Sequence, residues 1–244
     1  MPAAAHEFAF VRTKKHFVAL TFDDGPSEWT SPVCEVLRNW GVQATFFVIG
    51  SAVADRAEAL RTLHSDRHEI GNHTQNHIDL TGAGITTEEI RTELDRAGTA
   101  IESVLAVRPT LFRPPGFRSS PLVRMAAAHC GIRYVVQSQV WSQDYKLDSS
   151  STIAAEILNH PDLRPGAIIT LHDGRPPDEG PWPEGSRADR WRTVEALETI
   201  VPSLLEQGLT PVTVSELIRR NLLMRLGRMA STRSVRDRSS TSRS

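Results

Sequence analysis

Short apolar runs alternate with amphipathic stretches along this chain, and Gly, Pro or Asp punctuates most of the joins. The first run, His16-Phe17-Val18-Ala19-Leu20, is β-branched and aromatic, the pattern of a buried strand. Ser31-Pro32 then predicts a helix through Cys34, Leu37 and Trp40, with Ser as N-cap, Pro at the first turn and Gly41 as stop. Residues 44–50 read as a second buried strand, 52–64 as a helix, and 69–73 as a short strand ending in polar residues. Thr86-Thr87-Glu88-Glu89 has the form of a capping box and predicts a long amphipathic helix to about Leu105. Further strands are expected at 111–113, 133–140, 167–171 and 211–214, with helices at 120–129, 152–158 and 193–207.

Seven or so β-α units with buried strands imply an α/β protein whose parallel strands form a closed or nearly closed barrel. A doubly wound open sheet is the alternative, although no GxGxxG follows any strand. Polar clusters fall just after the strands: Asp23/Asp24, His73/His77, Arg113, Asp144 and His172/Asp173. That is the end of a barrel where active sites are built.

Composition changes the picture little. At 244 residues, 39% hydrophobic and 23% charged, the chain can bury a full core. No apolar run approaches the ~18 residues that span a bilayer. The segment Met1 to Glu7 lacks the basic and apolar regions of a signal peptide, which gives an expectation of a cytoplasmic chain, or of an envelope protein whose export segment is missing. The net charge of −1 is uneven: Arg219 to Ser244 holds eight arginines and one acid, a net +7 that leaves −8 on the rest. This Ser/Arg-rich tail reads as disordered, and no nucleic-acid partner is expected from it. The expected organisation is an extension at 1–16, one catalytic domain at 17–218 and the tail at 219–244. Cys34 and Cys130 sit in separate helical patterns and are expected to be free thiols.

Two stretches carry chemistry. Asp23 and Asp24 close the first strand; their side chains diverge unless the chain bends, and Gly25-Pro26 supplies a bend. Adjacent carboxylates repel unless a cation or a donor compensates, although Asp-Gly and Gly-Pro are also ordinary turn dipeptides. His73-Thr74-Gln75-Asn76-His77 spaces two imidazoles to share one side of a helical turn and chelate a cation. With an Asp from the strand end this becomes a His₂Asp set. Such a set suits Zn²⁺ and also Co²⁺, Ni²⁺ or Fe²⁺.

Four stretches taken in order, Thr21-Phe22-Asp23-Asp24-Gly25-Pro26, His73 to His77, Arg113-Pro114-Pro115-Gly116 and Leu171-His172-Asp173, resemble the motifs of the polysaccharide deacetylase family. This is carbohydrate esterase family 4, with the NodB-homology domain, and the likeness runs from about Phe17 to Leu217. The resemblance implies a distorted (β/α) barrel of the glycoside hydrolase/deacetylase type and metal-dependent removal of acetyl groups from an N-acetylated carbohydrate. It assigns Asp24, His73 and His77 to one divalent cation, Zn²⁺ first among the candidates. It makes Asp23 the base and His172 the acid, pairs Arg113 with the catalytic carboxylate, and makes the Gly116 backbone N–H the oxyanion donor. The chemistry is consistent: a Lewis acid lowers its water's pKa towards ~7 and polarises the carbonyl, and an amine leaves poorly unless it is protonated.

The chain departs from that pattern in three places. Gly116 stands where an aromatic is common, so Phe117 is expected to supply the groove wall. Trp141-Ser142-Gln143-Asp144-Tyr145 keeps only the second acid of Asp-x-x-Asp-Trp and ends in Tyr, so Asp144 or Asp173 is expected to orient Arg113 or His172. Thr170 lies two before His172 in place of an apolar residue. The expected groove is Phe117, Trp141, Asp144, Tyr145 and Leu171, with Trp182 a further stacking candidate and Trp191 assigned to the core. A cyclic imide, ureide or other small amide is the rival substrate, and a non-catalytic carbohydrate-binding protein is the rival class.

Overall fold

The computed structural model describes residues 3–13, 15–176 and 189–221. The element that positions the rest is β2 (Phe17–Gly25), buried along almost its whole length. Its alternation separates two interiors. Val18, Leu20 and Phe22 face a helix-covered layer, while Ala19 points into a smaller apolar cluster with Phe47, Leu111, Val136 and Ile168. Thr21 and Asp23 share the parity of Ala19 and therefore continue that inner face towards its polar end.

The other strands add in parallel to both edges of β2. They are β1 (His6–Phe8), β3 (Thr45–Val48), β4 (Glu69–Asn72), β5 (Leu111–Phe112), β6 (Tyr134–Val136), β7 (Val140–Trp141) and β8 (Ile168–His172). Their order is β1-β6-β5-β4-β3-β2-β8-β7, and β9 (Thr210–Val212) pairs with the start of β2 at Phe17–Ala19. The described residues thus form nine parallel strands in a barrel left open between β1 and β7, rather than about seven. Two features account for the difference. The stretch expected as one strand over 133–140 breaks at residues 137–139, and its halves join opposite edges of the sheet. The segment set apart as an extension supplies β1, which pairs with β6 through His6–Tyr134 to Phe8–Val136.

Among the described residues the helices on the outside include α1 (Thr30–Asn39), α2 (Ala57–Ser65), α3 (Thr87–Leu105), α4 (Pro121–His129), α5 (Ser150–Leu158) and α6 (Trp191–Glu206). α3 starts at the predicted capping box: Glu89 N–H donates to Thr86 Oγ1 at 3.2 Å, and Thr86 N–H to Glu89 Oε2 at 2.8 Å. α1 begins two residues earlier than expected, behind Trp29, and Ser31 is not its cap. No side chain caps the helix; Thr30 Oγ1 accepts the Ser27 N–H at 2.8 Å in the turn before it. The basic tail begins inside a helix over 214–221, where Arg219 pairs with Glu216 at 2.7 Å. Residues 222–244 lie outside the described residues. Both cysteines are free thiols. Among the described residues no helix is long and apolar enough to cross a membrane.

Candidate active site

At the carboxyl end of β2 the chain solves the problem of two adjacent acids. Asp23 points inward by strand parity, and Asp24 adopts a left-handed φ of 71° where the β2–β3 register shifts. The bend therefore lies at Asp24 itself, one residue before the expected Gly25-Pro26. Gly25 serves another purpose: a Cβ there would sit 2.3 Å from Asp173 Oδ2, so only glycine admits the end of β8 this close.

The two histidines follow β4 on a loop, not on a helical turn as the spacing suggested. Left-handed φ values at Thr74 (68°) and His77 (56°) curl the segment, so His77 returns beside His73. Both Nε2 atoms converge on Asp24 Oδ1, at 3.2 Å from His73 and 3.3 Å from His77. That oxygen is buried with no hydrogen-bond partner among the described residues. A buried carboxylate oxygen without a donor is costly and calls for a cation. The tautomer agrees. His73 Nδ1 lies 2.7 Å from the Arg113 carbonyl, which only accepts, so Nδ1 carries the proton and Nε2 offers its lone pair. The donor set fits one divalent cation held by Asp24, His73 and His77.

Electrostatics follow from this crowding. Burial alone would raise the Asp24 pKa, but the imidazoles of His73, His172 and His77 around it drive it down. Burial lowers His77 to about 4 despite Asp24, whereas Asp24 and Asp23 together raise His73.

Two buried pairs flank the triad. On one side Arg113 Nη1 donates to Asp23 Oδ1 at 2.8 Å and to Thr21 Oγ1 at 2.7 Å. The guanidinium is fully buried, lies 4.2 Å from the Phe47 ring centre, and also reaches the carbonyls of Val136 (3.2 Å) and Gln137 (3.4 Å). Burial pushes its pKa down, and the Asp23 charge and hydrogen bond oppose that. Breaking such a pair from one side typically costs about 3–5 kcal/mol. Thr21 gives its own proton to the Ile169 carbonyl at 2.7 Å, so its oxygen accepts both from Arg113 and from Thr170, 3.2 Å away.

On the other side Asp144 holds His172. Its Oδ1 lies 2.7 Å from Nδ1, while Oδ2 accepts the His172 backbone N–H at 2.8 Å and Thr193 Oγ1 at 2.9 Å. Burial pulls the His172 pKa down, but the Asp144 carboxylate, with Asp24 and Asp23 behind it, outweighs this and raises it to about 9. The raised pKa favours the protonated ring, and Asp144 on Nδ1 leaves Nε2 to face a leaving group. Asp173 does not share this task. It accepts from Thr30 Oγ1 at 2.5 Å, and burial beside Asp24 and Asp23 pushes its pKa up to about 7.

Asp23, Asp24, His73, His77 and His172 open onto one cavity of about 360 Å³ walled by Gly116, Phe117, Trp141, Tyr145 and Thr170. Gly116 has a φ of 58°, and its N–H has no acceptor among the described residues. Phe117 stands where a wall was expected, and the Tyr145 ring packs edge-on against His172 at 5.3 Å. Two groove assignments fail. Leu171 is fully buried on the helix-facing side of β8, because parity from His172 points Thr170, not Leu171, into the cavity. Asp144 lies behind His172 rather than in the wall. Trp191 opens α6 but is 51% exposed, not core. Trp182 lies outside the described residues. Sequence reasoning missed Thr21 and Thr193, which are ordinary in their local patterns and acquire a role only through partners about 90 and 50 positions away in the chain.

A parallel half-barrel with Asp, His and Arg gathered at its carboxyl end defines the class, and the comparisons agree. The profile of the family described as Polysaccharide deacetylase matches residues 10–135, and the chain belongs to that family. It is 35% identical over 212 residues to the peptidoglycan-N-acetylglucosamine deacetylase of Bacillus cereus, covering 86% of this chain and 91% of the relative. It is 37% identical over 196 residues to a chitooligosaccharide deacetylase of Bradyrhizobium, covering 78% and 85%. Among solved structures, the family 4 acetyl xylan esterase of Clostridium thermocellum, in complex with a cobalt ion, superposes with a TM-score of 0.69 at 30% identity, covering 83% of this chain and 90% of that one. The profile ends before Asp144 and His172, so their pairing is known here from the geometry alone.

Proposed function

We propose that this chain removes N-acetyl groups from an N-acetylglucosamine-containing glycan, with one divalent cation, Zn²⁺ before Co²⁺, Ni²⁺ or Fe²⁺, held by Asp24, His73 and His77. The observation that carries this reading is the convergence of two Nε2 atoms on the unpartnered Asp24 Oδ1, between a carboxylate paired to Arg113 and a histidine paired to Asp144. The names of the relatives support the substrate class. When bound, the cation supplies Lewis-acid polarisation of the acyl carbonyl and a water acidic enough to lose a proton near neutral pH.

The residues divide the rest. Asp23, oriented by Arg113, accepts the proton of the attacking water. The Gly116 N–H faces the developing oxyanion, fixed by the two prolines before it, which have no N–H of their own. His172 gives its Nε2 proton to the departing amine, and Asp144 holds the ring in the tautomer and charge state that permits this. Phe117, Trp141 and Tyr145 offer apolar faces to the sugar.

Elemental analysis combined with acetate release from N-acetylglucosamine oligomers, before and after chelation, tests this. One metal per chain and chelator-sensitive acetate release are the expected results. Metal bound without acetate release would reject the acetyl substrate and direct assays to cyclic imides, and sugar binding with no metal would favour a binding protein.

A further inference from the structure

A buried carboxylate outside the cavity acts on the same loop from behind. Glu93 lies on the inward side of α3 among Ile90, Leu94 and Ala97, and only 7% of it is exposed. An acid in such company needs a partner. The partner is the turn between the two histidines. Glu93 Oε2 accepts the Asn76 backbone N–H at 2.8 Å, and Oε1 accepts Asn76 Nδ2 at 2.7 Å. Both bonds are charge-assisted, and together they fix orientation as well as distance.

α3 grips the other side of the loop one residue along. The Leu94 carbonyl accepts Asn72 Nδ2 at 2.8 Å, and Asn72 Oδ1 accepts the Thr74 N–H at 2.8 Å. The loop needs holding, since Thr74 and His77 both occupy left-handed conformations that non-glycine residues avoid. The Asn72 grip fixes the entry at Thr74, the Ser51 N–H holds the Gln75 carbonyl at 2.9 Å, the His77 N–H donates to Thr74 Oγ1 at 2.9 Å, and the Glu93 grip fixes Asn76, the residue before His77.

We propose that Glu93 is a positioning residue for the cation site: through Asn76 it sets the place of His77 Nε2 opposite His73 Nε2, and so governs metal affinity rather than the chemical step. The proposal rests on the reading of Asp24, His73 and His77 as ligands. It predicts a particular pattern of loss and rescue. Glu93→Gln keeps the side chain's shape but turns an NH₂ towards one of two donors, breaking one bond. Combining Glu93→Gln with Asn76→Asp exchanges donor and acceptor: the amide then donates to the new carboxylate, while its oxygen still accepts the backbone N–H.

The test is Zn²⁺ titration of the metal-free full-length chain against a chelating indicator. Thermal denaturation of each metal-free variant and kcat at saturating Zn²⁺ accompany it. Glu93→Gln should raise the Zn²⁺ Kd by about 10–100-fold, the usual effect of losing a ligand's support. The paired exchange should recover most of that loss, with kcat at saturating metal within about twofold of the parent. If Glu93→Gln does not fold, Asn76→Ala, which removes only the side-chain bond, should still raise Kd severalfold. An unchanged Kd in a folded variant, or a loss that the exchange does not recover, would overturn the proposal. A parent chain that binds no Zn²⁺ would overturn the ligand reading itself, a result distinct from either.

Discussion

Asp24, His73 and His77 at the open end of the sheet, and Cys34, Asp66 and His68 beside α1, each bring three ligand atoms within 4.8 Å of one another. The two sets look alike in residue type and burial, and the difference lies in what each histidine's other nitrogen meets. His73 Nδ1 faces a carbonyl, which leaves Nε2 with a lone pair. His68 Nδ1 accepts the Ala44 N–H at 3.2 Å, so in the neutral ring Nε2 keeps its proton and cannot bind a cation. Burial holds His68 near a pKa of 4, hence neutral, and raises the Cys34 thiol to about 12. Asp66 is already paired to Arg38 at 2.6 Å. Three ligands near one another are thus not enough; a backbone donor or acceptor one atom further out decides.

The largest expected effect separates the two clusters. Asp24→Ala or His77→Ala should abolish bound metal and lower turnover by at least about 10³-fold, since both cation roles vanish together. His68→Ala should leave metal content unchanged by elemental analysis. A metal lost with His68 would erase the distinction.

Next in size is Asp144→Asn, with kcat down by about 10–100-fold. The sign of the pH effect follows from the raised His172 pKa. An acid must be protonated, so the alkaline limb of the kcat profile should fall near pH 9 in the parent and at lower pH in the variant. The same pair stabilises the fold fully below the ordinary histidine pKa of about 6.5 and loses that contribution as pH rises through about 9. Denaturation midpoints of parent and Asp144→Asn should therefore converge above pH 9. A constant gap would mean that His172 is not the group responding.

Thr21→Val removes one acceptor from Arg113 but leaves Asp23 and two carbonyls. A loss in kcat of about two- to tenfold is expected, with metal affinity unchanged. The smallest effect is at Cys34: with its thiol buried and raised to about 12, iodoacetamide at pH 8 should modify it only after denaturation, as mass spectrometry would report. Rapid labelling of the native chain would show that the region beside α1 opens.

The parts legible from sequence were those written in short spacings. The strand-end acids, the HxxxH pair and the Pro-Pro-Gly turn all carry their chemistry within a few residues. The assignment of Leu171 to the groove was avoidable, because strand parity counted back from His172 selects Thr170. The bend at Asp24 and the curl of His73–His77 were not legible, because left-handed φ at Asp, Thr and His leaves no mark comparable to a glycine. Nor was Trp191, whose apolar character said nothing about which side of α6 it would occupy.

The first strand has one consequence. The Phe8 carbonyl accepts the Gln137 N–H at 2.8 Å, Glu7 Oε1 accepts Gln137 Nε2 at 2.6 Å, and Gln137 in turn offers its carbonyl to Arg113. β1 is thus wired, through one glutamine, to the arginine that steadies the base. Loosening this edge strand of only three residues would therefore reach the base through Gln137 and Arg113, at a distance from any ligand.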